Sequence, residues 1–84
     1  MLDIKMPVKE QPKEQSKLRN LRIIDNTKSR FEIIAEIGGK KWRFWRAGKD
    51  AAIQIHIEGT DIRPDSNDET MLMTELHKVG GLNL

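Results

Sequence analysis

The sequence predicts an α+β domain: a four-stranded antiparallel β-meander, one C-terminal α-helix packed on one sheet face, and a disordered N-terminal arm. Three observations predict it. Apolar and polar residues alternate at period two through Arg30 to Ile37, Lys41 to Arg46 and Ala51 to Glu58. Short turns separate these segments, which suits antiparallel neighbours and leaves no room for crossover helices. Beyond Pro64 the apolar spacing changes to the helical one, with Leu72, Leu76 and Val79 on one stripe flanked by Met73.

Residues 1–16 contain Pro7, Pro12, two Gln and several Lys and Glu, too little apolar surface to offset the entropy of ordering, so a flexible basic arm is expected. Lys5, Lys9, Lys13 and Lys17 recur every fourth residue, but the two prolines oppose a continuous helix. One folded domain is expected over 17–84. Its first strand covers about 18–24, through Leu18, Leu21, Ile23 and Ile24, and ends at the polar run from Asp25 to Ser29. The second places Phe31, Ile33, Ala35 and Ile37 on one face and Glu32, Ile34 and Glu36 on the other. Gly38-Gly39-Lys40 supplies the positive-φ positions of a tight hairpin.

The third strand sets Trp42 and Phe44 inward, with Arg46 on their side, and Arg43 and Trp45 outward. After the turn Ala47-Gly48-Lys49-Asp50, the fourth alternates Ile53, Ile55 and Ile57 against Gln54, His56 and Glu58. Ser66-Asn67-Asp68-Glu69 has the form of a capping box with Ser66 as cap, and Gly80-Gly81 stops the helix. The expected core face is Ile23, Phe31, Ile33, Ile37, Trp42, Phe44, Ile53, Ile55 and Ile57 beneath Leu72, Leu76 and Val79.

The composition narrows the chemistry. Without cysteine there is no disulfide framework, thiolate nucleophile or Cys-based zinc site, which suits a reducing cytoplasm. No stretch approaches the ~20 apolar residues of a membrane span, and the first residues lack the apolar run of a signal peptide. His56 and His77 have no spacing that requires a shared metal, and the segment from Asp61 to Glu69 lacks the central glycine of a calcium loop. No serine sits in a nucleophile elbow, and Gly38-Gly39-Lys40-Lys41 joins two strands rather than opening a helix over a phosphate. The expectation is a non-enzymatic protein with no cofactor and no metal.

Charge is unevenly placed. Residues 1–50 carry thirteen basic and seven acidic side chains, whereas 51–84 carry two basic and six acidic ones. The segment from Gly39 to Lys49 interleaves five cations with three aromatic rings, the composition of a surface that neutralises phosphates and stacks on bases. Lys17, Arg19, Arg22, Lys40, Lys41, Arg43, Trp45, Arg46 and Lys49 are therefore the expected contacts to nucleic acid, single-stranded by preference. The order of four strands then a helix is similar to that of the single-stranded-DNA-binding transcriptional coactivators, a similarity of element order from which no site is carried over. The alternative is a protein-interaction module or inhibitor docking through Ile24, Ile34, Trp45 and His56, a cluster on the uncovered sheet face. So small a core also makes a homodimer a reasonable expectation. Small size and bare chemistry suit an accessory protein of a phage or mobile element.

Overall fold

A computed structural model of the protein describes residues 15–84. The arm expected over 1–16, with Lys5, Lys9 and Lys13, lies outside the described residues apart from its last two positions. Four strands follow in order, β1 (Arg19–Asn26), β2 (Phe31–Ile37), β3 (Lys40–Arg46) and β4 (Gln54–Ile57), and then helix α1 (Ser66–His77). The sheet is a meander, β1-β2-β3-β4, with every neighbouring pair antiparallel. β2 and β3 pair without a slip from Phe31 opposite Arg46 to Ile37 opposite Lys40. Gly38 and Gly39 close that hairpin with φ of 62° and 77°, the two positive values that a two-residue turn of matching twist requires.

β1 is less regular. Its register shifts between Arg19 and Arg22 and again between Ile23 and Asp25. Asn20 takes φ 52° in the first shift, a left-handed conformation that asparagine tolerates better than most residues. Its side-chain amide donates to Glu36 Oε1 at 3.2 Å. β1 runs two residues beyond its expected end, and Ile23 is 53% exposed although it stands opposite fully buried Ile33. β4 is shorter than expected because the chain before it is still turning, with Ala51 N–H donating to Gly48 O.

Phe31, Ile33, Ala35, Trp42, Phe44 and Ile55 build the core with Leu72 and Leu76 of α1, while Leu21, Ile57 and Met73 pack at its margin. Val79 lies outside that cluster. The helix begins one residue earlier than expected, because Asp65 rather than Ser66 is the cap and its carboxylate accepts from Asp68 N–H at 2.8 Å. Aspartate caps as well as serine does and adds a favourable charge at the helix N-terminus.

Two charged side chains lie among these apolar ones. Glu75 is 5% exposed on the inner side of α1. Its Oε1 accepts the Lys17 backbone N–H at 2.7 Å, its Oε2 accepts Lys78 Nζ at 3.2 Å, and its carbonyl accepts the Ser16 hydroxyl at 2.8 Å. The helix thus grips the chain just ahead of β1. Arg46, 9% exposed at the far end of the sheet, donates from Nη2 to the carbonyls of Thr27, Lys28 and Asn83. Asn83 in turn exchanges hydrogen bonds with Asn26, so one guanidinium ties the β1–β2 turn to the C-terminal tail.

The Lys17 N–H holds the Glu75 carboxyl below its ordinary value of 4.5, and Lys78 assists while burial opposes. A carboxylate depressed by folding stabilises fully above its unfolded value, and that contribution is lost as pH falls through the lowered folded one. Glu75→Gln is therefore expected to lower stability at neutral pH and to flatten the acid limb of the stability curve. Urea unfolding between about pH 7 and pH 3 reads this as a gap between the two proteins that narrows below about pH 4.5. A gap of constant size would show that the carboxylate's charge contributes nothing.

Candidate nucleic-acid interface

Because α1 covers one side of the sheet, alternation along each strand delivers a second set of side chains to the uncovered side. The register orders them in rows. Arg19, Glu36 and Lys41 form the first, Arg22, Ile34, Arg43 and His56 the second, and Asp25, Glu32, Trp45 and Gln54 the third. Adjacent strands lie about 4.8 Å apart, and residues on one face repeat about every 6.8 Å along a strand, so neighbours in these rows are within side-chain reach.

Trp45 is the centre of a connected group. Its indole N–H donates to His56 Nδ1 at 3.1 Å, and the two rings stack at 6.1 Å between centroids with 18° between planes. An acceptor at Nδ1 leaves the proton of neutral His56 on Nε2. The Arg43 guanidinium sits over the indole, 5.1 Å from its centroid, and its Nε donates to Glu32 Oε2 at 2.7 Å. Ion pair, cation–π contact and ring-to-ring hydrogen bond thus run diagonally from β2 through β3 to β4 and fix the Trp45 ring. A ring fixed in advance loses little further freedom when it stacks on a ligand.

The remaining expected residues divide. Arg19, Arg22 and Lys41 belong to the uncovered face by register, and their side chains form no ion pair among the described residues. Lys40 leans over the ring of buried Trp42 at the β2–β3 hairpin. Lys17 is exposed ahead of β1, with its backbone N–H committed to Glu75, and Lys49 is exposed in the β3–β4 turn. Arg46 does not belong to the uncovered face: parity turns it to the core side, where the three carbonyls and the face of Phe31 occupy it.

The apolar cluster expected for protein docking also changes. Ile34 is only 8% exposed, in a row between Arg22 and Arg43 whose methylene stems can lie over it. Ile24 stands free at 44% in the second β1 bulge, and His56 is committed to Trp45. What sequence reasoning missed is Ile23, exposed just before that bulge although it is in register with Ile33. Asn20 within a strand was the available signal for irregular backbone in the first shift of β1.

No three metal-ligating side chains converge among the described residues, and His77 is occupied by the Met73 carbonyl. No described helix is long and apolar enough to cross a membrane. No family model, curated protein or solved structure matches the chain.

The two tryptophans differ in access, since Trp42 is 4% exposed and Trp45 half-buried. Acrylamide is therefore expected to quench one population readily and the other hardly, with Trp45→Phe removing the accessible one. His56→Ala frees the indole N–H and is expected to shift Trp45 emission to longer wavelength. Homogeneous quenching in the native protein would contradict this placement.

Proposed function

We propose that the protein is a small nucleic-acid-binding accessory protein whose uncovered sheet face receives a single strand. The observation that carries the reading is Trp45, half-buried and fixed between Arg43 and His56 on a face where Arg19, Arg22 and Lys41 hold no ion pair among the described residues. A preset ring offers a stacking platform for any base, and guanidiniums on adjacent rows attract the backbone. The chemistry is sequence-tolerant, because every base has a face to stack and every phosphate a charge. Arg43, held by Glu32, positions the ring rather than acting as a free phosphate donor.

A second reading rests on Ile23 and Ile24, exposed side by side on the edge strand β1. A protein partner docking there would use apolar contact and tolerate salt.

A fluorescence titration with oligothymidylate at several salt concentrations separates the two. The nucleic-acid reading expects log affinity to fall with log salt at about 0.7 per phosphate neutralised. Trp45→Ala should cost about 1–3 kcal/mol of binding, and an Arg19→Gln/Arg22→Gln double variant should lower the slope. Absence of binding at low ionic strength refutes it and leaves the β1 edge as the functional surface.

A further inference from the structure

Where the uncovered face ends, β3 runs on by one residue from Trp45 to Arg46, and beside Arg46 the surface opens into a cleft of about 340 Å³. Lys28, Arg46, Lys49, Asp50, Asn83 and Leu84 line it. Its walls are therefore the β1–β2 turn, the end of β3, the β3–β4 turn and the C-terminal tail.

Arg46 forms the floor. Although more than nine-tenths buried, its guanidinium is only partly satisfied. Nη2 carries all three hydrogen bonds to carbonyls, Nε is buried without a partner, and Nη1 makes no hydrogen bond among the described residues. Buried guanidinium donors ordinarily find acceptors, and an orphan of this kind requires a reason. Lys28 and Lys49 stand exposed on opposing turns, without an ion pair among the described residues. Counting side chains, three cations and one carboxylate, Asp50, thus surround the space, and the α-carboxylate of Leu84 lies on the same lining. The three carbonyls hold the guanidinium in place before any ligand arrives, so binding carries little cost of ordering it.

We propose that this cleft is a phosphate-binding subsite, with Arg46 as its fixed floor and Lys28 and Lys49 closing on the anion from two sides. Resting on the nucleic-acid reading above, the inference assigns the cleft a phosphate of the strand that leaves the Trp45 platform. A guanidinium donor and two mobile ammonium groups match a tetrahedral oxyanion. Asp50 opposes the anion and sets an upper limit on its affinity.

The test titrates inorganic phosphate, with chloride at equal ionic strength as control, into the whole isotopically labelled protein and follows the Arg46 Nε–H and the Lys28 and Lys49 amides by NMR. Saturable shifts confined to these positions, absent with chloride, are expected. Lys28→Gln and Lys49→Gln should each weaken phosphate about five-fold, and Asp50→Asn should tighten it, all with unchanged melting temperatures because the three side chains are exposed. In oligothymidylate binding, the Lys28→Gln/Lys49→Gln variant should lose about 0.7 of the salt slope, one phosphate contact. Shifts equal in phosphate and chloride, or an affinity indifferent to all three substitutions, overturn the subsite. If phosphate binds here but oligonucleotide binds nowhere, the subsite stands as a small-anion site and the nucleic-acid reading falls.

Discussion

A twelve-residue helix can bury one face of a four-stranded sheet and no more. Every other feature follows from which side chains alternation sends to that face. On β3 it sends Trp42, Phe44 and Arg46, and it sends Arg43 and Trp45 to the other side. The core therefore uses one tryptophan and leaves the second to be stabilised by its neighbours. Those neighbours are polar. On the uncovered face a ring is held by hydrogen bonding and cation–π contact, interactions worth about 1 kcal/mol each, not by the close packing that surrounds Phe44. Such a ring has a defined position and retains accessible surface, which is the combination a recognition surface needs.

The same constraint leaves both ends of the sheet without apolar cover, and the fold closes each with one buried charge. Glu75 closes the end where β1 begins by accepting from the backbone of Lys17, and Arg46 closes the opposite end by donating to three carbonyls. Each charge meets backbone groups that would otherwise need water, so desolvation is offset on both sides of the contact. The sheet edges are managed separately. The two bulges in β1 interrupt any straight row of free donors. β4 is short, and its outward Ile57 N–H is already taken by the Ile62 carbonyl. These devices oppose backbone pairing of an edge with a second copy, while the side chains of Ile23 and Ile24 on β1 remain exposed for contact.

Strand order, hairpin and core were legible because the period-two signal in β2 and β3 is strong and the intervening turn is Gly-Gly. β1 was legible in existence but not in register. Alternation assigned Ile23 to the core side and the pairing agrees, opposite Ile33, but alternation does not reveal that this position on the edge strand stays 53% exposed. Ile34 was misjudged for a different reason. Alternation tells which face a residue is on, but not whether the long side chains beside it will cover it. Arg46 was placed on the core side by parity, but nothing local reveals that carbonyls from residues 27, 28 and 83 converge on it. The Trp45–His56 and Arg43–Glu32 contacts were equally out of reach, because each is a diagonal pair that exists only once two registers are fixed.

The uneven placement of charge acquires a physical meaning in this architecture. The acidic surplus of the second half includes Asp68 and Glu69 in the first turn of α1, where they complement the helix dipole, and Asp65 at its cap. Their places are therefore required by the helix, and the helix lies on the covered side of the sheet. Cations without an ion pair among the described residues stand on the strands and turns of the first half, on the uncovered face and at the end where Lys28 and Lys49 flank Arg46. A sheet one strand thick separates the two populations. A polyanion approaching from the helix side meets repulsion, while one approaching from the other side meets arginines beside a fixed ring. At physiological ionic strength fields are screened over about 8 Å, so each face presents chiefly its own charges. Charge asymmetry along the chain thus becomes a milder asymmetry across the sheet, because the uncovered face sets Arg19, Arg22, Lys41 and Arg43 against Glu36, Asp25 and Glu32, a small positive excess in a molecule with a formal net charge of +2.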